Sequence, residues 1–388
     1  MKFDVVIIGG GLVGAGLALA LRDSGLKLAL VEPHPPVAVP ADSSWDSRIY
    51  AISPGSAAFL ESLGVWRALD TARVTPVYEM AVYGDDGAAH LDFSAYDAGL
   101  PELAFIAENR QLQAAMWNGL KQQQNAKIFC PAQCTSIKWS ESHAELHLAD
   151  GKMLQAALVV GADGLDSRVR EQAGIEAMQR PYQQTGVVAN FSAEQSHRNI
   201  ARQWFRHDGV LALLPLPDKR LSMVWSANEE KAHALLALPA AELCRRVAEA
   251  SCHSLGELQL VTKPAAFPLH FVRVKKLVQP RLALIGDAAH GIHPLAGQGV
   301  NLGLRDAREL AATLIARCLQ PDCGDYLLLR RYERARKEDI MAMQLATDGL
   351  QKLFSAANPV LARLRNSGLA ITNRLPQIKS RLMQHALA

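Results

Sequence analysis

Three short stretches combine glycines with a carboxylate in patterns suited to chemistry on a nucleotide-like ligand. Gly9, Gly11 and Gly14 form G-x-G-x-x-G, and Glu32 follows at close to the ~20-residue separation expected of an acid that binds a ribose hydroxyl. Such an acid disfavours a 2'-phosphate, so the dinucleotide this pattern fits is FAD or NAD rather than NADP. Asp163-Gly164 stands in GADGLDSRVR after a run of apolar residues; it is either a plain turn or a second ligand-facing acid. Asp287 opens the third stretch, LIGDAAHGIHPLAGQGVNLGLRD, where Pro294, Gly297 and Gly299 make a turn before helical spacing begins. The first N–H groups of such a helix lack intrahelical partners and suit an electron-rich ligand edge.

Four further side chains bear on the same chemistry. Arg48 is either a solvated surface charge or a contact to an anionic group. Arg110 falls in the first turn of a helix, against the dipole, which calls for an anionic partner: a ligand, or a carboxylate such as Glu108. His290 and His293 form H-x-x-H, but no third ligand of suitable type and spacing accompanies them, so no metal is assigned.

These residues need elements to hold them. Residues 3–8 read as an apolar strand, residues 12–24 as a helix with Val13, Leu17 and Leu21 on one face and Gly25 at its end, and residues 28–31 as the next strand. Ser53-Pro54 suits a helix start closed at Gly64, residues 78–93 a hairpin turning at 84–87, and Asn109 the cap of a helix carrying Leu112, Met116 and Leu120. Strands at 136–139, 144–148 and 154–160 lead into Asp163, and residues 282–285 lead into Asp287, with a helix over 301–316 behind it. Between about 180 and 273 the texture changes to short strands at 203–205, 210–214 and 221–226, followed by a helix around 240–250. Trp204, Phe205, Leu213 and Trp225 fall on one face of those strands, either as core or, with Pro215, as the wall of an apolar pocket laid over a cofactor. A long helix spans 326–353. Past Asp348 there is no acid, while Lys352, Arg363, Arg365, Arg374, Lys379 and Arg381 alternate with apolar residues, which suits an anionic membrane surface or a helix packed on protein.

The resulting fold class is α/β: a Rossmann-like dinucleotide-binding domain (1–178 plus 274–345), an inserted mixed β-sheet substrate domain (179–273) and a basic C-terminal helical tail (346–388). The 388-residue length accommodates two or three domains. A net charge of +3 without a Lys/Arg block excludes nucleic acid as a partner. Six cysteines without C-x-x-C spacing point to a reducing cytoplasm; if the tail meets a membrane and not protein, the location is peripheral, at the inner membrane. The apolar start is interrupted by Asp4 and then by glycines, so it reads as a strand and not a signal peptide, and no uncharged apolar run reaches the ~18 residues of a spanning helix.

Taken together, GGGLVG with Glu32, VVGADGLDSRVR and the Asp287 stretch resemble the single-component flavoprotein aromatic hydroxylases of the para-hydroxybenzoate hydroxylase-like fold. More narrowly, HPLAGQGVNLGLRD with DSRIYAIS and LPLPDKRLSMVWS looks like the ubiquinone-biosynthesis hydroxylase family, over residues 1 to about 345. The resemblance implies that Gly9, Gly11, Gly14 and Glu32 hold the ADP half of FAD, and that Arg48 and Arg110 contact the pyrophosphate or flavin side. It places Asp163 and Gly164 at both FAD and a transient reductant, Asp287 at the ribityl chain, and Gly297, Gly299, Val300 and Asn301 along the pyrimidine edge. His293 and Pro294 would then lie near the reacting carbon, where an imidazole either helps deprotonate a phenol or holds the loop by hydrogen bonds.

The implied activity is hydroxylation of a polyprenyl phenol through a flavin C4a-hydroperoxide, with dioxygen as co-substrate and NAD(P)H or another donor bound transiently. A quinone-biosynthesis protein complex is the implied partner. Two alternatives remain: a hydroxylase of a small soluble aromatic acid, which needs a carboxylate-binding cluster in the inserted sheet, and a flavin-bearing assembly subunit.

Overall fold

The computed structural model describes residues 1–39, 44–84, 90–206, 208–317 and 322–355. Its first sheet has a parallel core in the order Leu282–Leu284, Met153–Gly161, Lys2–Ile8, Leu28–Val31, Ala126–Phe129. These strands are near-continuous apolar runs because both faces are covered, as parallel sheets require. Val5, Val6 and Ile7 are fully buried, as are Leu158, Val159 and Val160 beside them. Each such side chain contributes roughly 1.5–3 kcal/mol on burial. The register aligns Ile8 with both Gly161 and Val31, and Gly161 with Leu284. The turns carrying Gly9, Asp163 and Asp287, and the acid Glu32, therefore leave the sheet at one edge, where parallel sheets place their ligands.

Helices at Leu12–Ala20 and Gln298–Ile315 pack together on this sheet, their closest approach permitted by Gly303, whose added Cβ would lie 2.6 Å from Val13. The long helix Tyr326–Ser355 lies against the second of them. Pro54–Ser62 starts as its sequence suggests, with the Ser53 hydroxyl accepting from the Ser56 N–H. The helix Asn109–Gln122 does not use Asn109 as its cap: Glu108 holds that position, and Asp46 from a distant loop accepts the Arg110 N–H.

The second sheet orders His290–Gly291, Ala265–Val274, Ala177–Ala193, Arg220–Asn228, Gly209–Pro215, Ile200–Arg206, Glu79–Tyr83 and His90–Ser94. It is not confined to 179–273, since the predicted hairpin at 78–93 joins it through parallel pairing of Ile200–Arg206 with Glu79–Tyr83. Most of that hairpin's turn lies outside the described residues. One face of this sheet packs under the helices Glu229–Ala237 and Ala240–Ala250, in a core containing Trp204, Leu213, Trp225 and Val247. The other face looks toward the first sheet. A small antiparallel sheet, Ile49–Ile52, Ala104–Glu108 and Thr75–Val77, closes the side.

No helix among the described residues is long and apolar enough to cross a membrane. The tail expected at 346–388 is described only as far as residue 355, as the end of Tyr326–Ser355; the remainder lies outside the described residues.

Candidate functional site

Two adjoining clefts open at the shared edge of the first sheet. The narrower, about 330 Å³, is lined by Gly9, Gly11, Glu32, Ala162, Asp163 and Arg168. The wider, about 430 Å³, contains Gly11, Arg48, Tyr50, Ala162, Gly164, Asp287, Pro294, Gly297, Gly299 and Val300. Gly11 and Ala162 belong to both, so the two form one elongated groove. The three stretches read from the sequence converge on it.

The glycines divide the steric work. Gly9 has φ +106°, and a Cβ there would lie 2.3 Å from the Ala162 carbonyl oxygen; a Cβ on Gly14 would lie 2.0 Å from the Gly9 oxygen. Both are required by the protein's own packing. Added Cβ atoms at Gly11, Gly164 and Gly299 meet no protein atom within 4 Å. All three line the groove, so the backbone is left bare where a ligand can approach it closely. A dinucleotide laid along the groove fits this cradle.

The acids are held rather than loose. Glu32 accepts the Gly10 N–H through Oε2 at 2.5 Å and the His34 N–H through Oε1 at 3.0 Å. A carboxylate has about four lone-pair sites, so both oxygens keep capacity for ribose hydroxyls. Asp163 accepts from the Ser167 hydroxyl (2.5 Å) and the Val169 N–H (3.1 Å), pinning the start of the helix Arg168–Gln172. Asp287 is exposed, its side chain open to the wide cleft. The walls of the cleft desolvate its carboxyl and raise it above the usual range, while His290 and Arg48 pull it back. Burial likewise raises the Tyr50 phenol, against the Arg48 guanidinium 5.5 Å from its ring centre.

Other predicted residues serve the frame of the groove. Asn301 is fully buried: its Oδ1 accepts the Ser53 N–H, and its Nδ2 donates to the Ala51 and Gly297 carbonyls. It ties the glycine turn to the strand bearing Tyr50, and its amide is spent there. The Arg110 guanidinium donates to the Ser44 carbonyl and pairs with Glu108 at 3.4 Å, so its anionic partner is the neighbouring carboxylate. Pro294 lines the wide cleft, but His293 does not. The His293 ring is fully buried, with Nε2 bonded to Gln184 Oε1 at 2.9 Å and the ring set edge-on to Tyr182. Burial pushes this imidazole down to about 4, so at neutral pH it is uncharged.

Trp204, Leu213 and Trp225 are core residues on the far side of the second sheet. The cleft face carries their neighbours in sequence, Gln203, Ala212, Leu214 and Val224, and Pro215 is also absent from the lining. Strand alternation divides the expected face: Trp204, Leu213 and Trp225 went under the covering helices, while Phe205, next to Trp204 in the chain, lies on the opposite face with Leu295.

Some residues that frame the site carry no motif of their own. Asp306 is fully buried and accepts from the Gly286 N–H (2.9 Å), His290 Nε2 (2.5 Å) and Arg336 Nε (2.7 Å). Burial raises this carboxyl, but His290 and Arg336 outweigh it and leave it below the usual range. Arg170 donates to the Ala288 carbonyl at 2.8 Å and so ties the Asp163 stretch to the Asp287 stretch. In the sequence both are charges among other charges, at the ends of NLGLRD and DSRVR, with nothing to single them out.

A family model described as an FAD binding domain matches residues 2–346. The chain is 36% identical to the ubiquinone hydroxylase UbiL of Rhodospirillum rubrum, over 99% of this chain and 89% of that protein. It is also 36% identical to the 3-demethoxyubiquinol 3-hydroxylase of Escherichia coli, over 99% and 98% respectively. Among solved structures, Pseudomonas aeruginosa PqsL in complex with 2-aminobenzoylacetate superposes with TM-score 0.80 at 22% identity, over 96% of this chain and all of that one. The p-nitrophenol 4-monooxygenase PnpA of Pseudomonas putida gives 0.79 at 18% identity, over 100% and 99%. At these identities the structures speak for the fold.

Proposed function

The chain belongs to the FAD-binding family of ubiquinone-biosynthesis hydroxylases, and we propose that its substrate is a polyprenyl phenol whose aromatic ring it hydroxylates during quinone synthesis. The observation that carries this reading is the cleft wall facing Asp287 and Pro294, built from Val188, Ala201, Ala212, Leu214 and Val224. A small aromatic acid would need a cation on that wall. Arg202, the one basic residue of that wall among the described residues, donates its NH1 to the His197 and Ile200 carbonyls.

FAD held in the groove would supply the redox chemistry, by which, with a two-electron donor, one atom of dioxygen reaches the ring and the other leaves as water. Gly9, Gly11, Gly14, Glu32 and Asp163 would hold its adenosine side, and Asp287, Gly297, Gly299 and Val300 its flavin side. The apolar wall grips the ring and excludes water, which would otherwise divert the activated oxygen to hydrogen peroxide. His293, neutral and bonded to Gln184, supports the Pro294 turn from behind. Deleting the gene and identifying the quinone precursor that accumulates tests the assignment. A prenylated phenol lacking one ring hydroxyl is expected; an unchanged quinone pool contradicts it.

The same reading assigns the cationic C-terminal stretch to an anionic bilayer surface, where such a substrate resides. Removal of the residues after 355 then weakens co-sedimentation with anionic liposomes. Equal sedimentation of truncated and full-length protein contradicts that part alone.

A further inference from the structure

The geometry points to Gln203 as the residue that reads the ring oxygen of the substrate and sets how the ring is presented to the Pro294 turn. This rests on the polyprenyl-phenol reading and deepens it.

Four strands place Val188, Val224, Ala212 and Gln203 in one row across the second sheet, each paired with the next. Gln203 is the polar member of that row. Along its own strand it stands between two packed neighbours on the same face. Ala201 clusters with Val77 and Ile106 of the small sheet. Phe205 clusters with Leu295, the residue after Pro294. Gln203 therefore faces the space between the small sheet and the Pro294 turn, and it lines the wide cleft.

Its amide meets no hydrogen-bond partner among the described residues, and it is half-buried. Arg202 beside it is already committed to backbone carbonyls. An amide set in an apolar row is costly to desolvate unless the ligand completes its hydrogen bonds. A polyprenyl chain has no polar atom, so the complementary group on the ligand is an oxygen on the ring. The amide can donate to that oxygen or accept from its hydroxyl. Being neutral, it cannot take the phenolic proton, so its effect is orientation and selection rather than ionisation. The small Ala201 and Ala212 beside it leave room for a ring at this height.

The test compares FAD-loaded wild type with Gln203→Leu and with Gln203→Met, an unbranched replacement measured alongside in case the first packs poorly. Dissociation constants are read from the flavin absorbance change with 2-prenylphenol and with prenylbenzene, which lacks the ring hydroxyl. Wild type should bind the phenol at least about tenfold more tightly, and the variants should bind the two within about twofold, with unchanged flavin content. A variant that keeps the wild-type preference overturns the inference and leaves the substrate reading standing, as does a wild type that binds both compounds equally. Wild type binding neither compound overturns both.

Discussion

The glycines at the first turn answer two different demands, and substitution separates them. Gly14→Ala drives a Cβ into the Gly9 carbonyl, so the protein should lose stability before any ligand is considered. Gly11→Ala meets only open space, so the apoprotein should unfold within about 0.5 kcal/mol of wild type. Its FAD affinity should nonetheless fall by about tenfold or more, since the new methyl occupies the path of the ligand. Urea unfolding of the apoproteins and flavin titration check the pair. The fingerprint glycines were legible as a motif, but their division of labour was not, because it depends on Ala162 across the sheet. His293 shows the same limit: the sequence leaves it either a reacting group or a support of the loop, and the Gln184 and Tyr182 it packs against come from a strand far away in the chain.

His293 also makes a pH prediction. Its folded pKa of about 4 lies below the unfolded 6.5, so the unfolded chain binds more protons between those values. Stability therefore falls as pH drops from about 6.5 to 4, by roughly 3 kcal/mol from this group. In His293→Gln the slope of stability against pH over that window should flatten. An unchanged slope in chemical denaturation would contradict the burial argument.

At the scale of elements, the long helix Tyr326–Ser355 acts as a clamp on the turn bearing Asp287. Tyr332 donates to the Leu284 carbonyl at 2.9 Å, Glu333 accepts the Leu277 N–H at 2.8 Å, and Arg336 reaches Asp306. Arg336→Leu leaves a buried carboxylate short of its cation and should cost about 3–5 kcal/mol. Tyr332→Phe removes one hydrogen bond and should cost about 1 kcal/mol. Urea midpoints give the order, and FAD retention should follow it, because the left-handed Gly286 (φ +59°) is held by the same Asp306. The helix was legible from its length and spacing; its clamp was not.

The strands of the second sheet were harder. Of its two longest strands, Ala177–Ala193 has its alternation obscured by Gln179, Arg180, Gln183 and Gln184, and Ala265–Val274 carries Pro268, a residue that argues against a strand. A register shift between Pro181 and Thr185, with Gln183 at φ +54°, breaks the period of two outright.

Across the whole molecule, one parallel register brings Gly9, Asp163 and Asp287 to a single edge, and a second sheet faces that edge with small apolar residues. The first half of this arrangement could be read from the chain, since each motif follows a strand whose apolar run is unmistakable. The second half could not, because choosing the cleft face of a sheet requires knowing which side the helices Glu229–Ala237 and Ala240–Ala250 cover. The most direct measurement is turnover of the purified FAD-loaded protein with NADH or a chemical reductant, a prenylated phenol and isotopically heavy dioxygen, followed by mass spectrometry of the organic product. The account predicts a product carrying one heavy oxygen atom on the ring. Consumption of dioxygen with release of hydrogen peroxide and an unaltered phenol would contradict it.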